Sequence, residues 1–180
     1  MRIGLVFGTF APMHLGHMDV INIAREEMDK VIVICCGHEG DRGYPMFPLE
    51  KRYELAQRQF SDDEKVFVTM LVDTDPKIKE HWDQQQIWNY WVDRMLLHLF
   101  QNELINARDE LCFFTSEADY THLLESTPQH IRVHKCERIR PVSGTMIREN
   151  LSANLELVVS SFAEYICSMT HGYCSDRNAH

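Results

Sequence analysis

The sequence predicts an α/β fold in which a five-stranded, mostly parallel sheet lies between two helical layers. Two observations support this: short apolar runs of strand length alternate with longer segments whose apolar residues recur at helical spacing. Such alternation is typical of βαβ units. With 180 residues, 44% of them hydrophobic, the chain can bury the core of one domain. We expect that domain to span residues 1–168 and a polar tail to follow over residues 169–180.

The predicted elements alternate along the whole domain. The apolar runs predict strands at residues 3–7, 31–36, 66–72, 111–114 and 131–134. The helical patterns predict helices at residues 15–28, 48–60, 82–102, 118–126, 145–151 and 154–168. In such a Rossmann-like, three-layer arrangement, ligands bind at the carboxyl ends of the strands. The dinucleotide fingerprint GxGxxG does not follow the first run, so the architecture alone does not reveal a function.

The first candidate site is the stretch GTFAPMHLGH, from Gly8 to His17, directly after the first predicted strand. A strand that enters a helix through a glycine turn presents backbone N–H groups and the positive end of the helix dipole to an anion. His14 and His17 are three residues apart and therefore face the same side of the first helical turn. A metal pair is the alternative, but no third ligand lies nearby in the sequence, and phosphate contact fits better.

The second candidate site is the stretch RIRPVSGTMIR, from Arg138 to Arg148. Ser143, Gly144 and Thr145 begin a predicted helix, so hydroxyl groups accompany another helix N-terminus. Arg148 lies one turn further on and can reach back over the same place with a planar, bidentate guanidinium group. The alternative interpretation is a capped helix with surface arginines.

The local concentration of arginines is informative because the chain is acidic overall. Its formal net charge of −9 argues against broad binding to nucleic acid or to a membrane surface. An anionic substrate must then be held by a local positive cluster, and Arg138 and Arg140 add charge beside Arg148.

The composition also bears on the cellular compartment. No apolar run approaches the ~20 residues of a membrane-spanning helix, and the first segment is a predicted strand, which is unlike a signal peptide. The six cysteines contain no CxxC pair. We therefore expect free thiols, a cytoplasmic protein and no metal site.

Three further residues lie at the ends of predicted elements. Arg42 lies in the Gly- and Pro-rich loop after the second strand, where it either contacts a ligand or is a solvated surface residue. Arg52 lies one turn into the next helix, where a cation gains nothing from the dipole, so this position suggests a bound partner. Glu117 lies among small polar residues after the fourth strand, which either contact a base or ribose or cap the next helix.

The segment 81–99 holds all three tryptophans. Trp88 shares helical spacing with Val92 and Met95, which predicts a face packed in the core, with Trp91 beside it on the helix surface. Trp82 lies outside this stripe, at a loop-to-helix junction with a predicted capping box. It either stacks on a planar ligand ring or packs at the edge of the core.

Together, GTFAPMHLGH near the start and VSGTMIREN near the end resemble the paired motifs of the HxGH nucleotidyltransferase superfamily. Between them, GHEGDRG, EHWDQQQIW and FFTSEADY are similar to the nicotinamide mononucleotide adenylyltransferase domain of the bifunctional bacterial NAD-salvage proteins. The likeness spans roughly residues 1–150 and implies a nucleotidyltransferase-type fold.

The resemblance implies that the phosphate of nicotinamide mononucleotide attacks the α-phosphorus of ATP, which gives NAD and pyrophosphate. In that case His14, His17 and Arg148 are the catalytic residues. The resemblance assigns ATP and phosphate binding to Gly8, Thr9, Phe10, Arg138, Arg140, Ser143, Gly144 and Thr145. It assigns the nicotinamide nucleotide to Arg42, Arg52, Trp82 and Glu117, with Trp82 stacked on the nicotinamide ring. Mg²⁺ would be held mainly by phosphate oxygens.

Two other functions remain as alternatives at this point. One is a related transferase that uses another phosphorylated acceptor, either phosphopantetheine or a polyol phosphate. The other is a non-catalytic nucleotide sensor, which would be expected to have lost a motif histidine or Arg148, whereas all three residues are present. The expected partners are ATP and nicotinamide mononucleotide, without nucleic acid or membrane, and a homo-oligomer is left open.

Overall fold

The computed structural model describes residues 1–170, which form a five-stranded sheet with helices on both faces. The strands are β1 (Arg2–Gly8), β2 (Lys30–Gly37), β3 (Val66–Val72), β4 (Glu110–Thr115) and β5 (Arg132–Lys135). The helices are α1 (Leu15–Glu27), α2 (Leu49–Gln59), α3 (Gln84–Gln101), α4 (Ala118–Glu125), α5 (Gly144–Glu149), α6 (Leu151–Asn154) and α7 (Ser160–Met169). Two short 3-10 helices cover Pro76–Lys79 and Leu155–Leu157. The predicted α/β class and its five strands are confirmed.

The sheet order is β3-β2-β1-β4-β5, and every neighbouring pair of strands is parallel. The chain builds outward from β1 to β3 and then crosses to the other side for β4 and β5. The direction of winding therefore reverses between β1 and β4. In an open α/β sheet, a crevice forms at this point, outside the carboxyl ends of the strands.

Side chains from the central strands alternate between two cores, one on each face of the sheet. In β1, Ile3 and Leu5 belong to the core under α3 and α4, whereas Val6 belongs to the core under α1, α2 and α7. In β2, Ile32 and Val33 divide in the same way. Burial on both faces explains why these strands are continuous apolar runs, and it confirms the three-layer arrangement.

The predicted helix over residues 154–168 is correct from Ser160 onward and wrong before it, because the chain is interrupted there. The backbone is extended at Val158 and Val159, and α7 begins only at Ser160. The extended pair contacts the first motif: Val158 bridges His14, and the Val159 amide donates to the Met13 carbonyl at 3.2 Å. Two β-branched residues favour this extended conformation, and its hydrogen bonds join the start of the last helix to the turn that precedes α1.

The start of α3 follows the sequence prediction. The Asp83 carboxylate accepts from the Gln86 amide at 2.8 Å, and the Gln86 side chain accepts from the Asp83 amide at 2.9 Å. This capping box places the helix start close to the predicted residue. The preceding 3-10 helix was not predicted; Asp75 caps it by accepting from the Lys77 amide.

The cysteine prediction is correct for part of the described chain. Cys35, Cys36, Cys112 and Cys136 are free thiols, but Cys167 is disulfide-bonded, so the expectation of free thiols is wrong there. Within residues 1–170, no helix combines the length and the apolar character needed to cross a membrane. Most of the predicted tail, residues 171–180, lies outside the described residues.

Candidate functional site

A cavity of about 590 Å³ opens at the carboxyl ends of β1 and β4, where the direction of winding reverses. Its volume is in the range typical of small-molecule and cofactor sites. The two sequence motifs meet across it, although more than 120 residues separate them along the chain. The predicted residues that line it are Gly8, Thr9, Phe10, His14, His17, Arg42, Glu117, Arg138, Arg140, Ser143, Gly144, Thr145 and Arg148. Arg52 and Trp82 do not line it.

His14 and His17 form the start of α1 and are stacked face to face, with 3.7 Å between ring centroids. The Nδ1 atom of His14 accepts from the Gly16 amide, and the Nδ1 atom of His17 accepts from the His14 amide, both at 3.1 Å. A ring nitrogen that accepts a hydrogen bond carries no proton, so in the neutral imidazole the proton lies on Nε2. Backbone geometry therefore leaves both Nε2–H groups as donors.

Both histidines are neutral near neutral pH. Burial, with a smaller contribution from the nearby charge of Arg138, lowers the pKa of His14 to about 4, although Asp19 partly opposes this shift. Burial also lowers the pKa of His17 well below its usual value, with His14 and Arg138 contributing in the same direction. The pair can thus donate hydrogen bonds to an anion without first gaining a proton.

These depressed pKa values make the stability of the protein pH-dependent. Between the usual His pKa of 6.5 and the folded value near 4, the unfolded chain binds a proton at this position and the folded protein does not. The free energy of unfolding therefore falls as the pH falls through this window, by up to about 1.4 kcal/mol per pH unit for each such histidine.

We predict that His14→Asn makes this dependence shallower by about 1 kcal/mol per pH unit between pH 6 and pH 5. Asparagine is a good N-cap residue, so the variant retains an acceptor for the helix start while removing the titrating ring. Urea unfolding at a series of pH values measures the slope. If the free energy of unfolding had the same pH dependence in both proteins, the conclusion that His14 is buried and neutral would be contradicted.

The turn that precedes the histidines has a constrained backbone. Phe10 has φ 51°, a left-handed conformation that costs a non-glycine residue of order 1–3 kcal/mol. Its ring is 1% exposed and packs edge-on against His17, with ring centroids 4.9 Å apart. None of the described residues accepts a hydrogen bond from the Phe10 or Ala11 amide. The turn thus packs against a catalytic candidate, and both of these residues line the cavity.

Arg148 links the second motif to the first. It projects from α5, and its Nη1 donates to the Ala11 carbonyl at 2.6 Å while its Nη2 donates to the Thr145 hydroxyl at 3.3 Å. A Cβ atom at Gly144 would lie 3.0 Å from Nη1, so a glycine gives the guanidinium its room. Burial, with the nearby charge of Arg42, lowers the pKa of Arg148. An anion placed here would relieve this repulsion between arginines.

The remaining arginines of the cavity differ in whether their charge is already paired. Arg138 pairs with Glu117 at 3.7 Å, and Arg140 pairs with Asp19 at 2.9 Å. Arg42 and Arg148 form no ion pair with a carboxylate among residues 1–170. Arg42 and Arg148 are therefore the two cavity arginines whose charge is left for an anionic ligand.

Two predicted ligand residues lie outside the cavity. Arg52 is completely buried and donates to the Thr9 carbonyl and to the Asp41 carboxylate, both at 2.8 Å, so the prediction that it holds a phosphate directly is wrong. Trp82 packs edge-on against Tyr90, with ring centroids 5.1 Å apart, so this structure does not bring it to the cavity wall, and its stacking on a ligand stays a prediction. Its position at the edge of α3 corresponds to the alternative interpretation.

Four aromatic residues that sequence reasoning placed in the core, or did not single out, line the cavity instead. This aromatic wall consists of Phe7, Trp88, Trp91 and Tyr120. Phe7 contacts Trp91 at 4.6 Å between centroids, and Trp88 contacts Tyr120 at 4.9 Å. The i, i+3 spacing of the two tryptophans was the available signal, but periodicity does not distinguish a buried face from one that lines a cavity.

The cavity also contains an ion pair that sequence reasoning missed. Asp73 follows β3, and Lys79 ends the 3-10 helix; their charged atoms are 3.1 Å apart.

The described residues include no cluster of three or more His, Cys, Asp or Glu side chains arranged to hold a metal ion.

Comparison with known families identifies the class of protein. A family model described as cytidylyltransferase-like matches residues 5–150. The chain belongs to this family, which is the HxGH nucleotidyltransferase superfamily recognised from its two motifs.

Individual relatives match over shorter segments. The phosphopantetheine adenylyltransferase of Caulobacter vibrioides is 38% identical over 66 residues, which cover 37% of this chain and 39% of that protein. The probable nicotinate-nucleotide adenylyltransferase of Thermus thermophilus is 34% identical over 73 residues, or 39% of each chain. The matches therefore cover about two fifths of the length of these curated relatives.

Solved structures match over nearly the whole chain. NadR in complex with NR has a TM-score of 0.73 and 28% identity, covering 91% of this chain and 46% of that chain. A second NadR structure, in complex with NAD and AMP-PNP, has a TM-score of 0.71 over the same shares. The bifunctional NMN adenylyltransferase/ADP ribose pyrophosphatase of Francisella tularensis, at 15% identity and a TM-score of 0.67, shares the fold.

Proposed function

We propose that this protein transfers the adenylyl group of ATP to nicotinamide mononucleotide, giving NAD and pyrophosphate. The observation that carries the proposal is the aromatic wall, which stands in the same cavity as the two neutral histidines and Arg148. The NadR structures, at 28% identity, bind NR in one case and NAD with AMP-PNP in the other, and this supports a pyridine nucleotide and ATP as ligands here.

The reaction needs little covalent chemistry from the protein. The phosphate of the acceptor is already ionised at neutral pH and attacks the α-phosphorus of ATP, while the bond to the bridging oxygen of pyrophosphate breaks. Catalysis then consists of alignment and of stabilising the charge that develops on the phosphate oxygens. The Nε2–H donors of His14 and His17 are suited to the α-phosphate and the bridging oxygen, and Arg148 is suited to the leaving pyrophosphate.

Mg²⁺ fits this site as an ion held by ATP. The oxygen ligands of the ion would come chiefly from the phosphates, since the described residues hold no group of three or more His, Cys, Asp or Glu side chains placed to bind a metal. When bound, it would neutralise the charge of the triphosphate, while Arg42 and Arg148 supply the protein's own positive charge.

The aromatic wall favours a pyridine nucleotide over phosphopantetheine. The nicotinamide ring of the mononucleotide is planar and cationic, so it can stack on an aromatic face and gain a cation–π attraction. The pantetheine arm is flexible, neutral and not aromatic, and it would leave these faces without a matching partner. Phosphopantetheine is nonetheless the second candidate acceptor, because the Caulobacter vibrioides enzyme shares 38% identity over 66 residues.

The test is pyrophosphate release from ATP and Mg²⁺ in the presence of one acceptor at a time. The acceptors are nicotinamide mononucleotide, its nicotinate form, phosphopantetheine and a polyol phosphate. We expect release with nicotinamide mononucleotide, together with equimolar NAD. Release only with phosphopantetheine or a polyol phosphate would retain the transferase and overturn the proposed acceptor. No release with any acceptor, combined with measurable ATP binding, would indicate a nucleotide sensor.

If the aromatic wall binds the nicotinamide ring, removing one of its residues should weaken binding of nicotinamide mononucleotide but not of ATP. Stacking of a nucleobase on an aromatic side chain contributes about 1–3 kcal/mol, so Trp88→Leu should raise the KM for nicotinamide mononucleotide about tenfold or more. The KM for ATP should stay near its wild-type value. Steady-state kinetics with each substrate varied in turn measure both constants. Trp82→Leu, outside the cavity, is the matched control; a larger effect from Trp82 would contradict the assignment.

A further inference from the structure

Arg52 is buried where a surface helix would normally carry an apolar residue. It is 0% exposed, and its two terminal nitrogens hold separate parts of the chain: Nη1 donates to the Thr9 carbonyl and Nη2 to Asp41 Oδ2, both at 2.8 Å. We infer that Arg52 is a positioning residue that couples the loop carrying Arg42 to the turn at Thr9–Phe10. This inference rests on the proposed function, because it assigns both segments to the phosphate-binding side of the cavity.

The surroundings of Arg52 are shaped to admit a guanidinium group. A Cβ atom at Gly37 would collide with the Asp41 carboxylate and lie 2.9 Å from both terminal nitrogens of Arg52. A Cβ at Gly43 would lie 2.6 Å from the Phe47 carbonyl oxygen and 3.1 Å from Arg52 Cζ. Gly37 at the end of β2 and Gly43 in the loop thus let the backbone approach the arginine closely.

Stability alone does not account for a charge at this position. The Nε atom of Arg52 is buried and has no hydrogen-bond acceptor among the described residues. A buried ion pair with an unsatisfied donor stabilises a fold less than well-packed apolar side chains of the same volume. The arrangement is better explained by the two segments that the side chain joins.

On the loop side, the Asp41 carboxylate organises the backbone around Arg42. Oδ2 accepts from the His38 amide at 3.2 Å in addition to Arg52, and Oδ1 accepts from the Gly43 amide at 2.8 Å. Arg42 lies between these two contacts in the chain. Its backbone is therefore fixed from both sides, and its unpaired charge reaches the cavity near Arg148.

On the turn side, the contact acts on the residue before Phe10. Arg52 fixes the Thr9 carbonyl, and Arg148 fixes the Ala11 carbonyl from the opposite motif. The left-handed backbone of Phe10 between these contacts positions the ring that packs against His17. Through Thr9 and Phe10, Arg52 therefore acts on a catalytic candidate that it does not touch.

Asp41→Asn tests the coupling without removing the arginine. The variant keeps one acceptor oxygen but weakens the charged contact with Arg52, and the hydrogen bonds of the Asp41 side chain among the described residues go to His38, Gly43 and Arg52 and not to the turn. In ¹H–¹⁵N spectra of the ligand-free protein, we expect the amide signals of Thr9 and Phe10 to shift and broaden together with those of residues 38–43. The matched control is Glu54→Gln, which breaks an exposed ion pair with Lys51 on the same helix. Changes confined to residues 38–43 would overturn the inference.

Enzyme kinetics distinguish a positioning role of Arg52 from a purely structural one, because only a positioning role makes the effects of Asp41 and Arg42 substitutions on kcat/KM depend on each other. Asp41→Asn should lower kcat/KM for ATP about tenfold, and Arg42→Ala should cost less in the Asp41→Asn background than in the wild type. Independent, additive effects would overturn the coupling. If the wild-type protein has no adenylyltransferase activity, the proposed function fails while the spectra still decide the coupling. Arg52→Lys can reach one of the two partners but not both. We therefore expect it to shift the same amide signals as Asp41→Asn and to lower kcat/KM for ATP.

Discussion

Replacement of His17 by alanine is expected to lower kcat for adenylyl transfer by about 10²–10³-fold, the usual cost of removing one preorganised donor to a developing anion. The structure gives the reason: the His14 amide occupies Nδ1 of His17 and burial keeps the ring neutral, so Nε2–H is left to donate. The KM for ATP should change much less than kcat, because the donor acts mainly on charge that develops in the transition state. Pyrophosphate release at saturating substrates measures the effect.

The fold should survive this substitution. The variant loses one hydrogen bond of the α1 capping box, which costs about 1 kcal/mol of stability. Thermal unfolding checks this directly. His122→Ala is the control, since His122 is exposed on α4 and does not line the cavity. Wild-type turnover by a folded His17→Ala protein would remove His17 from the mechanism.

Arg148→Met is expected to lower kcat/KM for ATP by about 10²–10³-fold, because it removes both a permanent charge and a tie between the motifs. The guanidinium donates to the Ala11 carbonyl and the Thr145 hydroxyl, so it orders the cavity and carries an unpaired charge. Arg148→Lys should recover part of the activity, since lysine retains the charge but not the two-pronged geometry.

A charge control separates this role from the overall electrostatics of an acidic protein. Arg108→Met removes the same charge from an exposed loop residue outside the cavity and should leave kcat/KM near its wild-type value. Equal losses in the Arg148 and Arg108 variants would show that net charge, and not the position of Arg148, is responsible. Kinetics over a range of salt concentrations would reveal the same distinction.

Much of the fold was predictable because local sequence patterns determine its strands and helices. The buried strands appear as apolar runs, and the helices between them have regular spacing, so the parallel sheet followed from their alternation. The two motifs were recognisable for a similar reason, since a glycine turn and a capped helix start are short-range features. The interruption at Val158–Val159 was not predictable, because its cause is pairing with His14 and Met13, far away in the chain.

The errors in the site arise where burial decides the role of a side chain. Trp82 and Trp88 lie on the same segment, and only the packing of α3 over β1 shows that Trp88 lines the cavity while Trp82 packs on Tyr90. Arg52 was expected to contact phosphate because it is a cation near a helix start. Its actual partners are the Thr9 carbonyl, from a segment more than 40 residues earlier, and Asp41 of the nearby loop.

The most direct measurement of the central claim follows the fate of the α-phosphate of ATP. Wild-type protein is incubated with Mg²⁺, nicotinamide mononucleotide and ATP labelled at the α-phosphorus, and the products are separated by chromatography. The account predicts label in NAD, and unlabelled pyrophosphate released in equal amount. Label in ADP, or label that stays in ATP although nicotinamide mononucleotide binds, would contradict adenylyl transfer at this site.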